Sequence, residues 1–211
     1  MIARVRTAVL ISGRGSNMSA LIEAARSSDF SAEIVLVLSD DPAAAGLLLA
    51  RKLGVAAEAI DFRAYAGKPA FEAALETRLT AASAEIVCLA GFMRVLSTPF
   101  VERWKGRLLN IHPSLLPNLR GLNTHERVLA QGLAEHGCTV HLVTAELDAG
   151  PILAQARVPV LPGDDARALA ARVLKEEHRI YPQALDELAR SLRAVPGGCE
   201  RPTLWPPARN R

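Results

Sequence analysis

The chain has 211 residues, half of them apolar and 22% charged, with a formal net charge of +3. This length supports one sizeable core or two small ones, and the apolar content excludes disorder for the bulk of the chain. The basic excess comes from scattered arginines, local only in RVR near the start and RPTLWPPARNR at the end, which points to an anionic small substrate rather than to nucleic acid. Three cysteines, Cys88, Cys138 and Cys199, stand far apart without CxxC spacing, so neither a zinc or redox motif nor a disulfide framework is expected. TAVLIS is too short for a signal-peptide core, and no run approaches the roughly 20 apolar residues of a membrane span. A soluble cytoplasmic protein without a membrane partner is the expectation.

In chain order, RTAVLIS (6–12) reads as a buried strand, followed by the turn GRGSN and a helix from Met18 to about Arg26. EIVLVLS (33–39) is a second strand, and DPAAAGLLLARKLG (41–54) a helix with Pro42 in its first turn. VAAEAIDF gives a third strand and KPAFEAALETRLTAA the next helix, followed by strands EIVCLA (85–90) and GRLLNIH (106–112). Strand–helix alternation implies right-handed crossovers and a parallel sheet covered on both faces. CTVHLVTAE (138–146) and PILAQARVPV (151–160), joined by the short LDAG, read as an antiparallel pair. A long helix from about Asp164 to Arg193 closes a single α/β domain over 1–193, and 194–211 reads as an irregular Pro/Gly-rich tail.

Three stretches carry candidate chemistry. In ISGRGSNMSAL, Gly13 and Gly15 open a strand–turn–helix whose outward amides and helix N-terminus form an anion site on Gly15, Ser16 and Asn17, with Arg14 adding charge. The alternative is a tight turn in which Ser16 or Asn17 caps the helix. A Walker loop lacks its Lys-Ser/Thr pair, and Met18 stands where a dinucleotide fingerprint needs its third glycine.

The second stretch is Asn110-x-His112, which ends a strand before Pro113. Residues two apart on a strand share a face, and parallel sheets bind ligands beyond their carboxyl ends. Asn110 can donate to an oxyanion, and His112 can exchange a proton near neutral pH. The third is the acid of ELDAGP: Asp148, or its rival Glu146, would hold a neighbouring histidine protonated as a general acid. His125, His136, His141 and His178 lack metal spacing and read as structural or substrate-contacting. An Asn-His-Asp set without a protein nucleophile suits an amine attacking an activated acyl or formyl carbon.

VLISGRGSNMSALIEA, LAGFMRVLSTPF, LLNIHPSLLP, HGCTVHLVTAELDAGPILAQ and EEHRIYPQAL, in this order over about 7–188, resemble the phosphoribosylglycinamide formyltransferases. The resemblance implies the formyltransferase fold, a mostly parallel Rossmann-like sheet with an antiparallel C-terminal pair. It implies formyl transfer from 10-formyltetrahydrofolate to glycinamide ribonucleotide in de novo purine biosynthesis, with no metal and no nucleic acid, by a monomer or homodimer. By the same resemblance Asn110, His112 and Asp148 are catalytic, and Gly15, Ser16, Asn17 and Glu177 hold the ribonucleotide. Met93, Arg94, Val95 and Leu96 form a wall around the folate's pterin, Thr144, Ala145, Glu146 and Leu147 close over it, and Lys68 lies near the folate.

Three departures from the pattern stand out. Asn123 replaces a common histidine beside an NLRG turn, Arg14 replaces an asparagine, and Lys68 replaces an arginine, keeping charge without bidentate geometry. Formyltetrahydrofolate hydrolases and methionyl-tRNA formyltransferases share HPSLLP but are expected to carry a further domain. A nucleotide-binding module without catalysis explains GRGSN but not the Asn-His pair with its later acid.

Overall fold

The structure, a computed structural model, describes residues 3–194. Seven strands form one sheet in the order β3-β2-β1-β4-β5-β6-β7. They are β1 (Val5–Ile11), β2 (Ala32–Ser39), β3 (Ala57–Ala59), β4 (Ile86–Leu89), β5 (Leu108–His112), β6 (Glu135–Leu142) and β7 (Ile152–Pro159). The pairings β2–β3, β1–β2, β1–β4 and β4–β5 are parallel, whereas β5–β6 and β6–β7 are antiparallel.

The helices are α1 (Ser16–Ala24), α2 (Ala45–Lys52), α3 (Lys68–Ala81), α4 (Thr98–Arg103), α5 (Thr124–Ala130) and α6 (Ala166–Ala194). Side chains alternate along β1 between two cores: Val5, Val9 and Ile11 pack beneath α1, α2, α5 and α6, while Ala8 and Leu10 face α3 and α4. The second core is filled by Phe71, Leu75 and Leu79, one helical turn apart on α3, with Phe100 and Trp104. A sheet buried on both faces explains why the parallel strands read as unbroken apolar runs. Pro182 lies inside α6 without ending it, and beside it the Tyr181 hydroxyl donates to the Leu89 carbonyl at 3.0 Å.

Four expectations are corrected. The run read as one strand over 138–146 leaves the sheet after Leu142, because the Leu142 amide bonds to the Pro151 carbonyl and closes a loop over 143–151 rather than a four-residue turn. Helix α2 starts at Ala45, so Pro42 precedes it. The third strand is only three residues long and gives way to a 3-10 turn at Phe62–Ala64. Helices α4 and α5 are additions, too short to impose a periodic pattern on the sequence. The expected tail falls outside the described residues apart from Ala194, as does Cys199; Cys88 and Cys138 are buried free thiols. Among the described residues no helix is long and apolar enough to cross a membrane.

Candidate active site

The β5–β6 register pairs Asn110 with His141 and His112 with Thr139. The side chains two apart on β5 therefore meet partners on the same face of the next strand. Asn110 Nδ2 lies 3.2 Å from His141 Nε2, and His141 Nδ1 lies 3.0 Å from the Leu142 carbonyl. A neutral ring satisfies both contacts: Nδ1–H donates to Leu142, and the bare Nε2 accepts from the Asn110 amide. Burial pushes the His141 pKa down, opposed by the Leu142 carbonyl and the Asp148 charge. Cross-strand register puts His141 at the centre of the site, a placement that its sequence neighbourhood does not reveal.

Asp148 reaches this cluster from the loop after β6. Its Oδ2 stands 3.5 Å from His112 Nδ1 and its Oδ1 3.7 Å from His141 Nε2, with the His112 and Asp148 side chains each only 8% exposed. Asp148 Oδ2 also accepts from the Gly121 amide at 3.0 Å. The rival acid is resolved by geometry, since Glu146 is exposed and pairs with Arg120 at 2.6 Å. Asp148 has a φ of 50°, a left-handed conformation that Asp tolerates better than most residues. Two residues on, a Cβ at Gly150 would sit 1.8 Å from the Leu142 carbonyl oxygen, so only glycine lets the loop close there. On its other side, His112 Nε2 donates to the Leu119 carbonyl at 3.1 Å.

These groups line a cleft of about 580 Å³ at the carboxyl ends of β4 and β5. The Met93–Leu96 wall, Thr144, Ala145, Leu147 and Asn123 line it too. Lys68 does not: it begins α3 as an exposed residue, and Glu146 likewise turns to solvent. Among the described residues no group of three or more His, Cys, Asp or Glu gathers to hold a metal.

The glycine loop forms a second locus beyond β1. Gly15, with φ 75°, is the N-cap of α1, and no side chain caps the helix, which removes the alternative role for Ser16 and Asn17. Instead Asn17 Nδ2 donates to Glu177 Oε2 at 2.6 Å, 160 residues away in sequence, and Asn17 Oδ1 is buried without a partner. Burial pushes the Glu177 pKa up, against the Asn17 hydrogen bond. Gly46 on α2 shapes this loop and was not legible as a site residue: its amide donates to the Gly13 carbonyl at 2.9 Å, and a Cβ there would come within 2.5 Å of Ile11 Cδ1. Gly15, Ser16, Asn17 and Glu177 do not line the cleft. Ser12 joins the two loci, with its amide donating to Gly91 and its hydroxyl accepting from the Met93 amide at 2.9 Å. The strand order reverses between β1 and β4, the position where open α/β sheets bind ligands.

Residues 5–185 match the formyl transferase family. The chain belongs to this family. Within it, the chain is similar to the phosphoribosylglycinamide formyltransferase of Escherichia coli (strain K12), 44% identical over 181 residues that cover 86% of this chain and 85% of that one. A crystal structure of phosphoribosylglycinamide formyltransferase from Brucella melitensis is 54% identical, with a TM-score of 0.85 over 88% of this chain and 96% of that one. The trifunctional purine biosynthetic protein adenosine-3 of Bos taurus is 49% identical over 186 residues, which is 88% of this chain but 18% of that relative's length.

Proposed function

We propose that the chain transfers the formyl group of 10-formyltetrahydrofolate to the amine of glycinamide ribonucleotide, with residues 1–193 as the formyltransferase domain. Membership of the formyl transferase family supports the reaction class, and the names of the E. coli and Brucella relatives support the acceptor. The observation that carries the reading is the His112–Asp148 contact at 3.5 Å beside Asn110 in a single cleft.

The folate's ring lies against the Met93–Leu96 wall under Thr144, Ala145 and Leu147, with its formyl carbon at the Asn110–His112 end. The ribonucleotide's phosphate rests on the Gly15–Ser16–Asn17 amides at the start of α1, and its ribose reaches Glu177. The amine attacks the formyl carbon, forming a C–N bond and a tetrahedral oxyanion. Asn110 and protonated His112 donate to that oxygen, which replaces the Leu119 carbonyl at His112 Nε2. Asp148 stabilises the imidazolium and, through water, relays the proton that the attacking amine sheds to the departing folate nitrogen. Cleavage of the bond between the formyl carbon and the folate nitrogen, with a proton delivered to that nitrogen, releases tetrahydrofolate and the formylated amide. Both reactants are small molecules, and the reaction suits a cytoplasmic enzyme.

The test is to follow folate absorbance with and without glycinamide ribonucleotide. Consumption only when the ribonucleotide is present is expected. Equal consumption without it would indicate a hydrolase, and none in either case a binding module.

A further inference from the structure

The cleft wall over 91–97 contains neither helix nor strand. Phe92 and Leu96 pack on the second core, but Met93 and Val95 are 68% and 63% exposed, so apolar packing alone leaves the middle of the wall unsupported. Its shape rests on polar anchors from three other elements. Ser12, just past β1, accepts from the Met93 amide at 2.9 Å. Glu72 on α3 accepts from the Ser97 amide at 2.7 Å and from the Ser97 hydroxyl. Between them, Arg94 Nε donates to Asp40 Oδ2 at 2.6 Å, and the Arg94 Cζ lies 3.7 Å from the centroid of the Phe62 ring.

Asp40 follows the last residue of β2, and its side chain is 5% exposed. Its other carboxylate oxygen, Oδ1, is buried without a hydrogen-bond partner. A carboxylate so deeply buried and so incompletely paired is costly, and hydrophobic replacement of such groups is often neutral for stability. The Asp40 carbonyl also accepts from the Phe62 amide at 3.3 Å, so one residue sets both the ion pair and the ring against which the guanidinium lies. We propose that Asp40 is a positioning residue for the formyl donor, holding the 91–97 wall in its binding shape through the Arg94 guanidinium. This rests on the folate reading given above.

The experiment compares Asp40→Asn in the wild-type chain and in an Arg94→Met background. In the wild-type chain, KM for 10-formyltetrahydrofolate rises on the order of tenfold, the scale of a weakened charge-assisted hydrogen bond. The values of kcat and KM for glycinamide ribonucleotide stay within about twofold, because the change lies outside the reacting groups. In the Arg94→Met background, Asp40→Asn adds no further rise. Amide hydrogen exchange over 92–97 in the protein alone becomes faster in Asp40→Asn and in Arg94→Met, with α6 unchanged. Unchanged exchange over 92–97, an equal KM rise in both backgrounds, or a parallel loss of kcat and both affinities overturns the proposal. A wild-type chain that does not bind reduced folate removes the transfer reading, and the exchange measurement then decides the role of Asp40 on its own.

Discussion

Asn110 Nδ2 lies 3.2 Å from His141 Nε2 across the β5–β6 ladder, and Asp148 Oδ1 stands 3.7 Å from that same ring nitrogen. His141 therefore holds the amide on one side and borders the acid on the other, although it is itself only 2% exposed. Replacing it by Phe keeps an aromatic ring and removes the acceptor that fixes the Asn110 amide at the cleft. Loss of such a hydrogen bond costs about 0.5–1.5 kcal/mol, and we expect kcat to fall roughly tenfold with KM for the ribonucleotide little changed. Steady-state kinetics with each substrate varied in turn measures this. An unchanged kcat would show that Asn110 holds its position without His141.

Gly46→Ala tests the glycine loop without touching a predicted ligand contact. The added methyl would sit 2.5 Å from Ile11 Cδ1 and 2.9 Å from the Gly13 carbonyl oxygen, and the latter cannot move without shifting the loop. Overpacking of this kind costs about 1–3 kcal/mol. Thermal unfolding should shift downward by a few degrees, and KM for glycinamide ribonucleotide should rise more than KM for the folate.

Glu177, hydrogen-bonded to Asn17, gives stability a pH dependence. Burial raises its pKa above the ordinary carboxylate value, so its contribution to stability is full at acid pH and is lost as the group ionises through its raised folded pKa. Glu177→Gln preserves an acceptor for Asn17 and removes the charge. Thermal melts should show the variant gaining stability relative to wild type as pH rises above the ordinary carboxylate value of 4.5, while KM for the ribonucleotide rises. A variant that loses stability more strongly at the higher pH would contradict this reading.

The His125–His136 pair predicts acid sensitivity. Burial pushes His136 down to about 4, with the His125 and His112 charges adding to the shift. His136 Nε2 meets His125 Nδ1 at 3.0 Å, and His136 Nδ1 is buried with no partner, so an added proton there finds no acceptor. A depressed histidine pKa means that the unfolded chain binds more protons, so stability is complete above the ordinary value of 6.5 and is lost as pH falls from there toward about 4. His136→Gln should flatten the dependence of unfolding free energy on pH in that window, as denaturant titrations would record.

The parallel half of the fold is legible because strands buried on both faces become apolar runs, and Pro, Gly and charged residues separate them from the helices. Asn110 and His112 stand out for the same reason, as two polar groups at the end of such a run. Asp148 is visible only as one of two acids, because separating it from Glu146 requires the loop path set by Gly150 and the Leu142–Pro151 hydrogen bond. His141, Gly46 and Asp40 carry no local signal. Their roles arise from register across strands, from helix-to-loop approach and from a pair 54 residues apart in sequence. Lys68, expected near the folate, sits on the exposed start of α3, outside the cleft lining.

The most direct test is the turnover of Asp148→Asn with both substrates saturating, alongside circular dichroism to verify the fold. An amide in place of the carboxylate keeps the shape of the loop but cannot stabilise an imidazolium at His112 or relay the amine's proton. We expect kcat to fall on the order of a hundredfold or more, with both KM values near those of the wild-type enzyme. A folded Asp148→Asn protein that turns over at the wild-type rate would contradict the assignment of formyl transfer to the His112–Asp148 pair.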